Sequence, residues 1–340
     1  MLHQRLLTKL EAIRQGRGDR EFILADARDA DMAWGIASPG QGWPADPRTP
    51  MRSMQAFHEE IRAVVRQGEI DILLASVSTM SLLAHQERLF HGSDVTPAIR
   101  ANDTTDVWCG RGMRYREKPS LPFTSCYLEE AQHGVIGAAA GHPVVNLGLY
   151  SMTFNNDLAA DRHSLSQFRV FRAEAQRRNF RYFLEVFAPN VEAAVAPENV
   201  PGFVNDHIVR TLAGVSRTSW PEFLKIPYFG PAALEELVNY DRSMVVGVLG
   251  GSSGTTYDAF KLIAEAQKYG ARVALFGRKI KDAEDPLAFI AFLRRIVAGE
   301  VGPEEAVRAY HGELQGRNIK PRRELADDQL LTAAEMSYAR

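Results

Sequence analysis

Cysteine is almost absent from this chain: 340 residues hold two, Cys109 and Cys126, in no metal-type spacing. That excludes a disulfide framework and a thiolate zinc site, and the expectation is free thiols in a reducing cytoplasm. A charge bias is missing too. Lys and Arg number 40 against 42 Asp and Glu, for a net charge of -2. Nucleic-acid binding normally shows a basic stripe and a high pI, so no nucleic-acid partner is expected. No apolar run approaches the roughly 20 residues of a membrane helix. The first residues, Met1–Leu6, repeat apolar side chains at helical spacing and lack a signal-peptide core, so no membrane partner is expected either. The nine histidines form no His-x-His or His-x-x-x-His pair, which disfavours a zinc-dependent mechanism. Internal repeats, low-complexity stretches and obvious linkers are also lacking.

What the chain does have is a series of short, apolar, β-prone runs: Glu21–Ala27, Ile70–Val77, Pro97–Ala101, Pro143–Tyr150, Tyr182–Phe187, Glu222–Tyr228, Met244–Leu249 and Ala271–Phe276. Such runs suit strands buried on both faces. Between them lie helical patterns. Met54, Phe57, Ile61, Val64 and Val65 share a face, as do Tyr257, Phe260, Ile263 and Ala264, and later Ile290, Leu293 and Val297. Gly230-Pro231 reads as a helix start and Gly270 as a helix stop. Strand and helix alternating about eight times predicts an α/β fold, a (β/α)8 TIM barrel of ~250 residues with additions. A doubly wound open sheet is the rival, because periodicity does not show closure. The additions are an N-terminal helix over Met1–Gln15, a long loop over Thr104–Thr124 that is a candidate lid, and an amphipathic helix over Pro303–Leu314. The organisation is then one barrel domain over 1–314 and a polar C-terminal tail over 315–340, with terminal helices that would suit a homo-oligomer.

Barrel chemistry sits at the C-terminal ends of the strands. Those ends carry Asp26 and Arg28; Ser76 and Ser78; Arg100, Asn102 and Asp103; Asn146 and Tyr150; Glu185; Lys225; Gly250-Gly251-Ser252-Ser253-Gly254; and Gly277-Arg278-Lys279. Lys225 interrupts an apolar strand. A buried ammonium is costly, so such a lysine is either paired or shifted toward neutrality. A neutral amine attacks a ketone carbonyl, and the resulting iminium stabilises a carbanion. The structural alternative is a lysine merely paired with Glu185 or Asp26. Asp26, Glu185 and Tyr150 are candidates for proton transfer or for holding substrate hydroxyls.

The glycine-rich turn Gly250–Thr256 follows a strand and precedes a helix, where free amides make an anion site. Gly277-Arg278 at the next strand end favours phosphate, since barrels often bind it between strands seven and eight. No Lys-Ser or Lys-Thr follows the glycines, so the turn is not a Walker A loop. A dinucleotide fold would want its glycine turn after the first strand, where Asp26-Ala27-Arg28 stands.

Taken in order, Asp26-Ala27-Arg28, Leu184-Glu185, Leu224-Lys225-Ile226-Pro227, Gly250-Gly251 and Gly277-Arg278 resemble the class I aldolases of the DeoC/LacD superfamily. The nearest are tagatose-bisphosphate and class I fructose-bisphosphate aldolases. The match is clearest over 181–301, and Leu147–Tyr150 follows the pattern more loosely. Some relatives carry a second lysine on strand four, where Val144–Leu149 has none. The resemblance implies a class I aldolase cleaving or forming a phosphorylated ketose, with a dihydroxyacetone-phosphate-like product. Lys225 would be the Schiff-base nucleophile and Glu185 or Tyr150 the proton shuttle. Asp26 would orient the amine, and Gly250, Gly251, Ser252, Gly277 and Arg278 would hold the phosphate. Arg28 and Lys279 would make further substrate contacts. No cofactor is needed, because the imine is the electron sink. Two alternatives stand beside this: a Schiff-base enzyme of another type, performing acyl transfer or dehydration, and a non-catalytic sugar-phosphate-binding barrel.

Overall fold

The structure is a computed structural model, and it describes every residue except 1–3, 19–20, 42–49, 139–140, 193, 252–253, 334–335 and 337–340. Eight parallel strands close into a barrel: β1 (Ile23–Arg28), β2 (Ile72–Ala75), β3 (Thr96–Arg100), β4 (Leu147–Thr153), β5 (Arg181–Phe187), β6 (Leu224–Ile226), β7 (Val246–Leu249) and β8 (Val273–Phe276). Each pairs with its sequence neighbour, and β8 returns to β1 in the register Ile23↔Val273 and Asp26↔Phe276. That closure rules out the open sheet. All eight strands fall at the predicted runs.

Side chains alternate across each strand, and the barrel sorts them into two cores. The inner one fills the lumen with Ile23, Ala25, Ile72, Leu74, Ala98, Leu147, Leu149, Phe183, Phe223, Val245, Val273 and Leu275. The outer one packs the strands' other faces against the helices. These are chiefly α2 (Met54–Gln67), α3 (Leu158–Arg177), α4 (Val200–Ala213), α5 (Pro231–Tyr240), α6 (Thr256–Lys268) and α7 (Pro286–Val297). The predicted faces are the buried ones: Phe57, Ile61, Val64 and Val65 on α2, and Ile290, Leu293 and Val297 on α7. Gly270 follows α6 at φ 102°, a backbone conformation that favours glycine.

The N-terminal helix α1 (Gln4–Arg14) closes the bottom of the lumen with Leu6 and Leu10. It is tied there by ions. Arg5 and Lys9 each lie 3.0 Å from Asp71, and Arg294 of α7 reaches the same carboxylate at 2.8 Å. Burial alone would raise the Asp71 carboxyl, but Arg294 and Lys9 hold it below its ordinary value.

At the other end, helix α8 (Pro303–Gly316) extends two residues past its predicted end and leads into the polar tail. The described tail packs back onto the start of α6. Asp328 accepts from the Thr256 amide at 2.8 Å and lies 3.0 Å from His311 Nε2. Asp258, in the first turn of α6, accepts from the amides of Thr255, Thr332 and Ala333 and from the Thr332 hydroxyl. A Cβ on Gly254 would collide with this clasp at Asp258 Oδ2. Among the described residues no helix is long and apolar enough to cross a membrane.

Candidate active site

The lumen opens at the C-terminal ends of the strands into a cavity of about 340 Å³. Its floor is built by one register row. Ser151 of β4, Glu185 of β5 and Lys225 of β6 are successive partners, with Gly247 of β7 next. All three polar side chains therefore point inward at one height. Lys225 Nζ lies 2.6 Å from Glu185 Oε1, and Ser151 Oγ donates to Glu185 Oε2 at 2.6 Å. Lys225 is 7% exposed and Glu185 1%, so the lysine that breaks its apolar strand is a buried ion pair within the cavity.

The row is completed from β3. Arg100 donates Nε to Asp29 Oδ2 at 2.5 Å and Nη1 to Ser151 Oγ at 3.1 Å, and Nη2 stands 3.7 Å from Glu185. Asn102 fixes the Ser151 backbone, accepting from its amide at 2.7 Å and donating to its carbonyl at 2.8 Å. Burial would raise the Asp29 carboxyl, but the charges of Arg100 and Lys225 hold it below the ordinary range. Burial likewise works against the Arg100 charge, and Asp29 and Glu185 outweigh it. The floor is thus two cations and two carboxylates linked in one network.

Asp29, Arg100 and Ser151 are the functional neighbours that the candidate list lacked or undervalued, and parity explains why. Asp26 and Arg28 face the helices, not the lumen. Arg28 Nε donates to Asp26 at 2.7 Å and Nη1 to Glu60 of α2 at 2.9 Å, and the guanidinium lies over the Phe57 ring. The assignment of Asp26 to the amine and Arg28 to substrate is therefore corrected: both are fully buried behind the barrel wall. Ala27 and Asp29 are the members of that segment that line the cavity. Tyr150 needs the same correction. It stacks on Phe171 at 4.5 Å and packs against Phe168, both on α3, while the next residue, Ser151, faces the site.

The glycine turns do reach the cavity. Gly250, Gly251, Gly277, Arg278 and Lys279 line one wall. A Cβ on Gly250 would come within 3.0 Å of the Phe276 Cα, so the strand ends approach closely only because this residue is glycine. The Gly250 amide donates to Leu275 O at 2.7 Å and is not free for an anion, which corrects its assignment as a phosphate donor. The amides of Gly251 and Gly277 meet no acceptor among the described residues. Ser252 lies outside the described residues. Lys279 is directed at the Gly254 carbonyl, and burial pushes its ammonium down to about 8.

The loop after β3 forms the cavity's outer lining with Asp106, Val107, Cys109 and Arg116. It begins and ends in a two-stranded antiparallel ladder, Asp103–Thr104 with Pro122–Phe123, and Trp108 packs on Phe123 at 5.2 Å. Among the described residues no group of three or more His, Cys, Asp or Glu is placed to hold a metal ion.

No family model matches the chain, and no curated protein matches its sequence. Solved structures do share its fold. An archaeal fructose 1,6-bisphosphate aldolase superposes at TM-score 0.59 and 17% identity, over 85% of this chain and 99% of that one. A structure of the Schiff-base-forming fructose-1,6-bisphosphate aldolase does so at 0.60 and 17%, over 85% and 99%. A Corynebacterium glutamicum protein matches at 0.58 and 16%, over 88% and 99%. At such identities the likeness is one of architecture, and the (β/α)8 barrel of this chain is similar in fold to those of class I aldolases.

Proposed function

We propose that this chain is a Schiff-base aldolase that cleaves or forms a phosphorylated ketose. The observation that carries the reading is the Lys225–Glu185 pair, 2.6 Å apart on adjoining strands, at the floor of a cavity whose wall offers Gly251, Gly277 and Arg278. Lys225 Nζ adds to the ketose carbonyl, and loss of water gives an iminium. The carbon–carbon bond then breaks with its electron pair drawn toward the iminium nitrogen, releasing an aldehyde. Protonation of the remaining carbon and hydrolysis of the imine free the second product, a dihydroxyacetone-phosphate-like ketone, and the lysine. Glu185 is within reach of Nζ to carry the protons of these steps. Asp29, held by Arg100, takes the orienting role expected of the first strand. The amides of Gly251 and Gly277 with Arg278 would receive the phosphate.

The test is borohydride reduction in the presence of a panel of ketose phosphates, followed by peptide mass spectrometry. A reduced adduct on Lys225 is expected, and Lys225→Met should lose both adduct and turnover while its thermal melt stays cooperative. Equal turnover by Lys225→Met would remove the assignment. A folded wild type that forms no adduct with any member of the panel favours a binding barrel instead.

A further inference from the structure

We propose that Arg116, carried by the loop after β3, is a second anion-binding residue of this cavity, closing on a substrate phosphate opposite Arg278. The inference deepens the aldolase reading and rests on it for the identity of the ligand; the anion site itself stands on geometry.

The backbone around Arg116 is fixed from three directions. Asn190, on the loop after β5, donates Nδ2 to the carbonyls of Arg116 at 2.9 Å and Lys118 at 2.8 Å, and accepts from the Ser120 amide at 3.1 Å. Asp106 accepts from Ser120 Oγ at 2.7 Å and from Thr153 Oγ1, at the end of β4, at 2.9 Å. The Cys109 amide donates to Ala33 O at 2.9 Å, tying the loop to the segment after β1. The loop is thus pinned to the segments after β1, β4 and β5, and the exposed Arg116 side chain lines the cavity from it.

Within this fixed frame the guanidinium of Arg116 has no acidic partner among the described residues, and neither has that of Arg278. Their neighbours differ: Arg114 pairs with Glu117 at 2.8 Å, and Arg100 with Asp29. Two guanidiniums without an acidic partner among the described residues therefore line one cavity, one on the barrel wall with Gly251 and Gly277, the other on the loop. The Cys109 thiol lines the same cavity. Burial raises it, and the positive charges of both Arg116 and Arg278 act against that rise. A dianion with several acceptor oxygens is the chemistry that satisfies two forked donors at once. A monoanionic carboxylate or an uncharged sugar end leaves one of them unanswered.

Because Cys109 lines the same cavity as the two arginines, its alkylation reads the site without turnover. Labelling of Cys109 by N-ethylmaleimide, followed by peptide mass spectrometry, should slow as inorganic phosphate is titrated into the wild type. Arg116→Met should raise the phosphate concentration for half-protection by roughly ten- to a hundredfold. Arg278→Met should do the same, and Arg114→Met should match the wild type. Protection by the same phosphate concentration in Arg116→Met as in the wild type overturns the proposal, and so does a wild type that phosphate does not protect. The Schiff-base reading fails separately. If the wild type is protected by phosphate through Arg116 yet forms no borohydride adduct on Lys225, the anion site stands and the aldolase does not. If the adduct forms, Arg116→Met should raise the substrate concentration it needs and leave its maximal yield unchanged.

Discussion

Two aspartates three residues apart, Asp26 and Asp29, should behave in opposite ways. Asp26 belongs to a sealed ion cluster with Arg28 and Glu60 behind the wall, and Asp29 belongs to the cavity floor with Arg100. Asp26→Ala strips Arg28, which is fully buried, of its nearer partner and leaves it only Glu60. Breaking a buried pair from one side costs about 3–5 kcal/mol. For a chain of this size that corresponds to a fall in Tm of roughly 4–7 °C. Turnover per folded molecule, measured well below the new Tm, should stay within about twofold, because neither side chain reaches the cavity. Asp29→Asn keeps the shape and removes a charge beside Lys225 and Arg100. Loss of a positioned acid–base or electrostatic partner typically lowers kcat by about 10²–10⁴. Differential scanning fluorimetry and a coupled aldehyde assay on the two variants decide the matter. An Asp26→Ala protein that melts like the wild type but has lost a hundredfold in kcat would refute the placement of the two carboxylates.

Other outcomes follow from the same geometry. Lys279 titrates near 8 in the folded chain, below its ordinary 10.5, because it is buried. Its charge is present below that pH and lost above it, so KM for a phosphorylated substrate should rise above about pH 8, and Lys279→Met should erase that inflection. The same depressed value means the unfolded chain binds the extra proton between the two pKa values, so this residue's contribution to stability grows with pH there; a urea-melt series at pH 7.5 and 9.5 compares wild type with Lys279→Met. Arg100→Lys keeps the charge but loses the fork shared by Asp29, Ser151 and Glu185, and should lower kcat at least about tenfold with little change in KM. Leu10→Ala on the helix that closes the lumen should cost roughly 2–5 kcal/mol in chemical denaturation and leave kcat unaltered at 25 °C; an undiminished midpoint would show that the helix is not part of the core.

The alternation of elements and the identity of the strands were legible in the sequence because each strand is a short, largely apolar run bounded by helical periodicity. Eight strands suggested a barrel, but closure came only with the β8–β1 pairing. The same property hid the faces of the strands. A strand with apolar residues on both sides shows no alternation, so nothing in Ile23–Arg28 says whether the odd or the even residues point inward. A slip of one residue exchanged Asp29 for Asp26 and Arg28, and Ser151 for Tyr150. Glu185 and Lys225 escaped because each is the lone charge within the buried part of its strand. Asp29 had a signal: it stands two residues beyond Ala27 and four beyond Ala25, the small residues that line the lumen. The amide of Gly250 was beyond reach, since its partner is the carbonyl of Leu275 on a strand more than twenty residues away.

The clasp of Asp328 and Thr332 onto the start of α6 has a consequence for the order in which the molecule is made. The eighth strand is complete at Phe276, and Asp328 follows roughly fifty residues later. At ~5–20 residues per second the ribosome needs several seconds to add them. During that interval a nascent chain can close its barrel and seat Lys225 beside Glu185, while the turn that begins at Gly250 still lacks the carboxylate and hydroxyl that hold its far end. The floor of the cavity can therefore assemble before its glycine wall, whose far end is held only once the Asp328 and Thr332 contacts are made.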